Sequence, residues 1–185
     1  MEGSDCKLVQ AIGDGDREAF EQLVKRYQKS LFNFIYRYLG EWSAAEDLTQ
    51  EVFLRVFLAA RRFEARPGAS VSTWIYRIAY HLSLNEIKRR QRFLRMSNHL
   101  EDTMPGLGDR SSSDLMEVQA LRDEVLSGLR RLPENQRAAL LLRVNEGLSY
   151  QEISEVLGVS FPSVESLLFR ARQTLRQHLE RQMKE

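Results

Sequence analysis

Apolar residues return every three or four positions through most of the chain, and that period belongs to α-helices. Phe20, Leu23, Val24, Tyr27, Leu31, Phe34, Ile35 and Tyr38 form the first such stripe, the buried face of an amphipathic helix. Gly40 follows it as a C-terminal stop. Ser43 and Glu46 then make a capping-box pattern ahead of a second stripe, Leu48, Val52, Val56, Ala60 and Phe63. Arg66-Pro67-Gly68 breaks it. A third helix is expected from near Ser72 through Trp74, Ile78, Leu82 and Ile87. It ends in a basic tail of Lys88, Arg89, Arg90, Arg92 and Arg95. Runs of β-branched residues with the alternation of a strand are scarce, so the expected fold class is all-α.

Between Ser97 and Ser113 the period disappears. Pro105, Gly106, Gly108 and three consecutive serines make this a linker, and it is too long for a tight connection inside one domain. Two small helical domains follow, residues 1–96 and 117–185, joined by a flexible segment over 97–116. Charge divides in the same way. Residues 1–96 carry sixteen basic and twelve acidic side chains, while 97–117 carry five acids against Arg110 alone. A net charge of only +1 thus hides an acidic tether, readable either as a solvated spacer or as a segment with a basic partner.

The second half resumes the helical period. Val118, Leu121, Val125, Leu129 and Leu132 form one stripe, Pro133 suits a helix start, and Ala138, Leu141 and Leu142 form the next. Ser149 and Glu152 make a second capping box before Ile153, Val156 and Leu157. Gly158-Val159-Ser160 is a tight turn, and Val164, Leu168, Ala171, Leu175 and Leu179 line a last helix. Two short helices around a glycine turn are the helix-turn-helix pattern, although an αα-hairpin in a bundle has the same outline. Arg170, Arg172 and Arg176 after the turn favour DNA, whose phosphates such side chains neutralise.

Several function classes are excluded. A single cysteine, Cys6, permits no internal disulfide, and His81, His99 and His178 lack metal-ligand spacing. No metal and no cofactor is expected. No apolar run reaches the ~18 residues of a membrane span, and the first residues lack the apolar core of a signal peptide, so a cytoplasmic location is expected. No phosphate-cradling glycine loop and no carboxylate–histidine motif appears, so the chain does not read as an enzyme.

Five segments in register resemble one family. Leu132-Pro133-Glu134-Asn135-Gln136-Arg137, Glu146-Gly147-Leu148-Ser149-Tyr150-Gln151-Glu152-Ile153 and Phe169-Arg170-Ala171-Arg172 resemble the C-terminal promoter-binding domain of bacterial RNA polymerase sigma factors. Glu46-Asp47-Leu48-Thr49-Gln50-Glu51-Val52-Phe53 resembles their polymerase-clamp helix, and Thr73-Trp74-Ile75-Tyr76-Arg77-Ile78-Ala79 their −10 recognition helix. The resemblance is to the sigma-70 family, and to its small extracytoplasmic-function group. It implies an alternative sigma factor that binds core polymerase through its largest and second-largest subunits and directs promoter-specific initiation. An anti-sigma partner is also implied. The C-terminal half taken alone would equally suit a helix-turn-helix regulator that acts without polymerase.

The resemblance assigns residues. Asp47, Gln50 and Glu51 share a helix face by their spacing and would dock on the polymerase clamp. Tyr76, Arg77, His81, Lys88, Arg89 and Arg90 would hold the −10 strand, rings stacking on bases and cations following phosphates. Phe63, at the base of the loop from Glu64 to Val71, and His81 match the pocket that receives a flipped base. Many relatives carry asparagine where this chain has His81, and neutral imidazole offers a different donor and acceptor set. Ser163, Glu165, Ser166, Phe169, Arg170 and Arg172 would face the −35 element. Glu165 and Leu167 stand where basic residues are usual; a glutamate in the groove can accept from cytosine N4, or it can repel the backbone. A compact resting form is expected, with the two domains packed together. The linker would thread toward the RNA exit channel.

Overall fold

The heptad-like stripes become helices stacked side by side. The computed structural model describes residues 2–63, 70–96 and 124–182. In chain order these are α1 (Glu2–Gly13), α2 (Arg17–Leu39), α3 (Trp42–Ala59), a 3₁₀ turn (Ala60–Arg62), α4 (Val71–Met96), helical residues 124–130 (α5), α6 (Glu134–Val144), α7 (Tyr150–Leu157) and α8 (Phe161–Gln182). No strand occurs among the described residues. The linker expected over 97–116, together with Val118 and Leu121 of the following stripe, lies outside them.

Helix α2 starts where Asp16 accepts hydrogen bonds from the Glu18 and Ala19 amides, at 2.8 and 3.1 Å, and ends at Gly40 with φ 77°. Only a residue without Cβ takes that conformation cheaply. Leu23, Leu31, Phe34, Ile35 and Tyr38 are buried along it. They meet Val52, Phe53 and Val56 of α3 and Val71, Ile75, Ala79 and Leu82 of α4 in one core. Helix α1, which the stripes did not announce, seals the bottom of this group. Val9 and Ile12 are buried, and Asp5 accepts from the Tyr27 hydroxyl at 2.6 Å.

One helix start differs from expectation. Ser43 does not cap α3; the helix already begins at Trp42, after Glu41, with no side-chain cap. The Trp42 ring packs against Phe32 and Tyr36, at 4.6 and 5.7 Å between centroids, and this contact draws the first turn onto α2. Helix α4 starts at Val71, beside the expected Ser72, and is capped by Ser70, whose hydroxyl accepts from the Thr73 amide at 3.1 Å.

The C-terminal helices close on α2 and α4. Arg137 of α6 donates to the carbonyl of Tyr38 at 2.6 Å and to those of Arg130 and Leu132 at 2.9 and 3.0 Å. These are carbonyls from the ends of two helices, where intrahelical donors have run out. Tyr80 donates to Asn135 at 2.8 Å, and Ser70 to Glu152 at 3.3 Å. The Tyr76 hydroxyl donates to Glu146 in a short bond.

Candidate nucleic-acid interface

Three exposed faces on separate helices carry the sequence-predicted residues. The first is on α3. Val52, Phe53 and Val56 point inward, so the opposite side faces solvent. Asp47 and Gln50 are exposed and Glu51 is half-buried, with Glu51 accepting from Arg55 at 2.7 Å. The same face runs on to Leu54 and Leu58, which are 51% and 68% exposed. Sequence reasoning stopped at the polar residues. The apolar extension was legible as the i+4 and i+7 continuation of Gln50 and Glu51.

The second face is one flank of α4. Arg77, His81 and Lys88 are exposed there, and Arg89 is exposed on the adjoining flank. Beside them a shallow depression of about 430 Å³ is lined by Arg55, Leu58, Ala59, Arg62, Trp74 and Ile78. Phe63 lies against Trp74 with ring centroids 4.7 Å apart. Trp74 is half-buried: it packs against the core, as its pattern suggested, and also walls the depression. No ring contact or hydrogen bond joins Phe63 to His81 among the described residues; Trp74 and Ile78 lie between them on the helix surface. Residues 64–69 of the adjoining loop lie outside the described residues. Burial, then the positive charges of Arg77 and Lys88, hold the His81 imidazole below its ordinary value.

Tyr76 is not on this flank. It is 2% exposed, its ring meets Phe34 edge-on at 5.5 Å, and its hydroxyl serves Glu146. Burial and the Glu146 hydrogen bond raise its pKa, and burial raises that of Glu146 as well. Tyr76 and Arg77 are neighbours in sequence, but successive residues of a helix diverge by about 100°. The expectation that Tyr76 faces nucleic acid does not hold in this arrangement. Arg90 is also committed elsewhere: it pairs with Glu86 at 2.7 Å and with Glu41.

The third face is on α8. The Ser149–Glu152 capping box forms, and Gly158 turns the chain at φ 67°. The Ser154 hydroxyl donates to the Val159 carbonyl at 2.6 Å and tightens the turn. Ile153, Val156 and Leu157 of α7 pack on Val164, Leu168 and Ala171 of α8. That packing leaves Ser163, Glu165, Ser166, Phe169, Arg170 and Arg172 exposed together, with Phe169 at 68%. Ser160 does not cap α8 through a backbone amide; its hydroxyl meets that of Ser163 at 2.8 Å. An outward helix start bearing polar, cationic and aromatic side chains is the geometry that enters a DNA major groove.

Comparison with known proteins agrees with this layout. Residues 23–93 match the family model for sigma-70 region 2, and residues 122–175 that for sigma-70 region 4. The RNA polymerase sigma-H factor of Pseudomonas aeruginosa is 34% identical, over 98% of this chain and 96% of its own. The ECF RNA polymerase sigma factor SigE of Mycolicibacterium smegmatis is 36% identical, over 97% of this chain and 70% of its own. The chain belongs to the extracytoplasmic-function group of the sigma-70 family. Its fold is shared by CnrH, solved in complex with the cytosolic domain of CnrY, with a TM-score of 0.71 and 24% identity over 96% of this chain and 97% of that one. It is shared too by the sigma factor RpoE of Bartonella quintana, solved with the anti-sigma factor NepR, with a TM-score of 0.69 and 23% identity over 87% and 96% of the two chains.

This sigma factor is an alternative one, which works with core RNA polymerase and promoter DNA to direct transcription initiation. Its family consists of regulatory DNA-binding proteins. Among the described residues no helix is long and apolar enough to cross a membrane, and no group of three or more His, Cys, Asp or Glu side chains could hold a metal ion.

Proposed function

We propose that the three exposed faces divide the work of initiation. The α3 face, with Asp47, Gln50 and Glu51 continued by Leu54 and Leu58, docks on the polymerase clamp. There the acids steer and the leucines supply apolar area. The flank of α4 with Arg77, His81 and Lys88 holds the −10 strand, and the depression between α3 and α4, walled by Trp74 and Ile78 with Phe63 against Trp74, accepts the flipped base. The α8 face reads the −35 element through Ser163, Glu165, Ser166, Phe169, Arg170 and Arg172. Residues 1–96 and 117–185 act as the two domains and 97–116 as their tether. The protein works in the cytoplasm, has no catalytic activity of its own, and is held in reserve by an anti-sigma factor.

The observation that carries this reading is the joint exposure of the six α8 residues on a helix-turn-helix whose opposite side packs Val164, Leu168 and Ala171 into the core. A regulator independent of polymerase would need that face alone and would leave the α3 stripe unused. Binding to core polymerase without DNA separates the two. Asp47→Lys reverses a charge on an exposed position, so the fold persists while core affinity falls by about tenfold. Unchanged core affinity in that variant removes the clamp assignment, and no core binding by the native chain removes the sigma reading.

A further inference from the structure

The basic end of α4 carries its own counter-ion. Glu86 lies three and four positions before Arg89 and Arg90, so all three share one helix face. Arg89 makes a two-pronged contact with it, Nε to Oε2 at 2.8 Å and Nη2 to Oε1 at 2.9 Å. Arg90 adds a third bond to Oε1 at 2.7 Å. The Glu86 side chain is 12% exposed, whereas that of Arg89 is 77% exposed. The Arg89 hydrogen bonds, with those of Arg90, draw the Glu86 carboxyl down to about 2 against the cost of burial. It is therefore ionised throughout the neutral range. Arg77 and Lys88, on the neighbouring flank, have no ion pair among the described residues.

With its Arg89 end open to solvent, this ion pair contributes little to stability. Its consequence lies in competition. The fork that a guanidinium gives a carboxylate is the same fork it gives a phosphate. We propose that Glu86 is a positioning residue that masks Arg89 from nucleic acid. A single strand on α4 is held first by Arg77 and Lys88, and Arg89 joins only if a phosphate displaces the Glu86 carboxylate. Arg90, held from both sides by Glu86 and Glu41, is a strut between α4 and the α2–α3 corner. The basic tail is thus weaker toward DNA than its composition implies. The inference rests on the reading of α4 as the −10 surface.

The test uses the full chain and a fluorescein-labelled oligothymidine of about 20 nucleotides, with anisotropy measured over a salt series. Glu86→Gln keeps the shape of the side chain and removes its charge. It is expected to bind several-fold tighter, with the slope of log affinity against log salt steeper by about 0.7, the increment for one more single-strand phosphate contact. Arg89→Ala alone is expected to stay within about twofold of the native chain, and to abolish the gain when combined with Glu86→Gln. Equal slopes for Glu86→Gln and the native chain overturn the proposal. So does weaker binding by Glu86→Gln, which would mean that the carboxylate presents Arg89 to DNA. A large loss in Arg89→Ala alone overturns it as well, and needs no Glu86 variant to fold. Arg77→Ala separates the two levels: if it leaves oligothymidine binding unchanged, the reading of α4 itself fails, whereas a loss there beside a silent Glu86→Gln defeats only the masking.

Discussion

The two flanks of α4 are built from adjacent residues and have opposite fates. One flank, Thr73, Tyr76 and Tyr80, is buried and hydrogen-bonded to Glu152 of α7, Glu146 of the α6–α7 connection and Asn135 of α6. The other, Trp74, Arg77, Ile78 and His81, is open, with a depression beside it. A cluster of aromatic and cationic residues in a sequence suggests a single nucleic-acid surface. On a helix it divides into a packed surface and an exposed one, and the division falls between Tyr76 and Arg77.

The sharpest way to break this comparison is to truncate one residue from each flank. Tyr76→Ala removes a buried ring from between α2 and the C-terminal helices and is expected to cost about 3–5 kcal/mol, like other aromatic-to-alanine changes in cores. Arg77→Ala is expected to stay within about 0.5 kcal/mol of the native stability. Thermal unfolding of the two variants decides; equal melting temperatures would dissolve the distinction between the flanks.

A smaller effect concerns what holds the closed arrangement. Glu146→Ala deletes the acceptor of the Tyr76 hydroxyl and leaves that hydroxyl half-satisfied, at about 1–2 kcal/mol. The expected outcome is an expanded chain in small-angle scattering, while promoter duplex binding through α8 is preserved. A native scattering profile in the variant would show that apolar contact alone keeps the helices together.

His81 sharpens the comparison on the open flank. His81→Asn is expected to change base preference at one −10 position, and His81→Ala to slow promoter opening several-fold without altering −35 duplex binding. Permanganate footprinting of the bubble with a −10 base-substitution series reads both. The pH dependence follows from the depressed imidazole pKa. The unfolded chain, with its histidine near ~6.5, takes up the proton first as pH falls. The His81 contribution to stability is therefore flat above about pH 7 and becomes unfavourable below the unfolded value. Base preference should be constant between about pH 7 and 8 and shift only on acidification. His81→Asn should abolish that shift, and an NMR titration of the His81 ring checks its origin.

The last effect is one of base preference alone, on α8. Glu165→Arg should move preference at one −35 position from cytosine toward guanine, worth about 1–3 kcal/mol if the side chain makes a bidentate contact. Selection from a randomised −35 library reads it, and an unaltered profile places Glu165 away from the bases.

Much of this protein was legible in the chain because its signals are local. The stripe from Leu23 to Tyr38, the stop at Gly40, the Ser149–Glu152 box and the turn at Gly158 each depend on residues within a few positions of one another, and all four appear in the structure. The exposed set on α8 follows from the same periodicity, since Val164, Leu168 and Ala171 announce the buried side. Helix α1 was missed because its short stripe leaves few inward residues to count, Val9 and Ile12 among them. The start of α3 was misplaced because a ring contact from Trp42 to α2 outweighed the serine cap.

What the tertiary structure alone decided are the matters that depend on contacts across long stretches of chain. Tyr76 and Glu146, Tyr38 and Arg137, and Ser70 and Glu152 are far apart in sequence, and no local pattern predicts their meeting. Periodicity tells which residues a helix turns inward, but an all-helical chain has more than one inward side when a second group of helices packs on the first. Which side Tyr76 belonged to was settled only by the arrival of α6 and α7 against α4, because burial is a property of the partners and not of the residue.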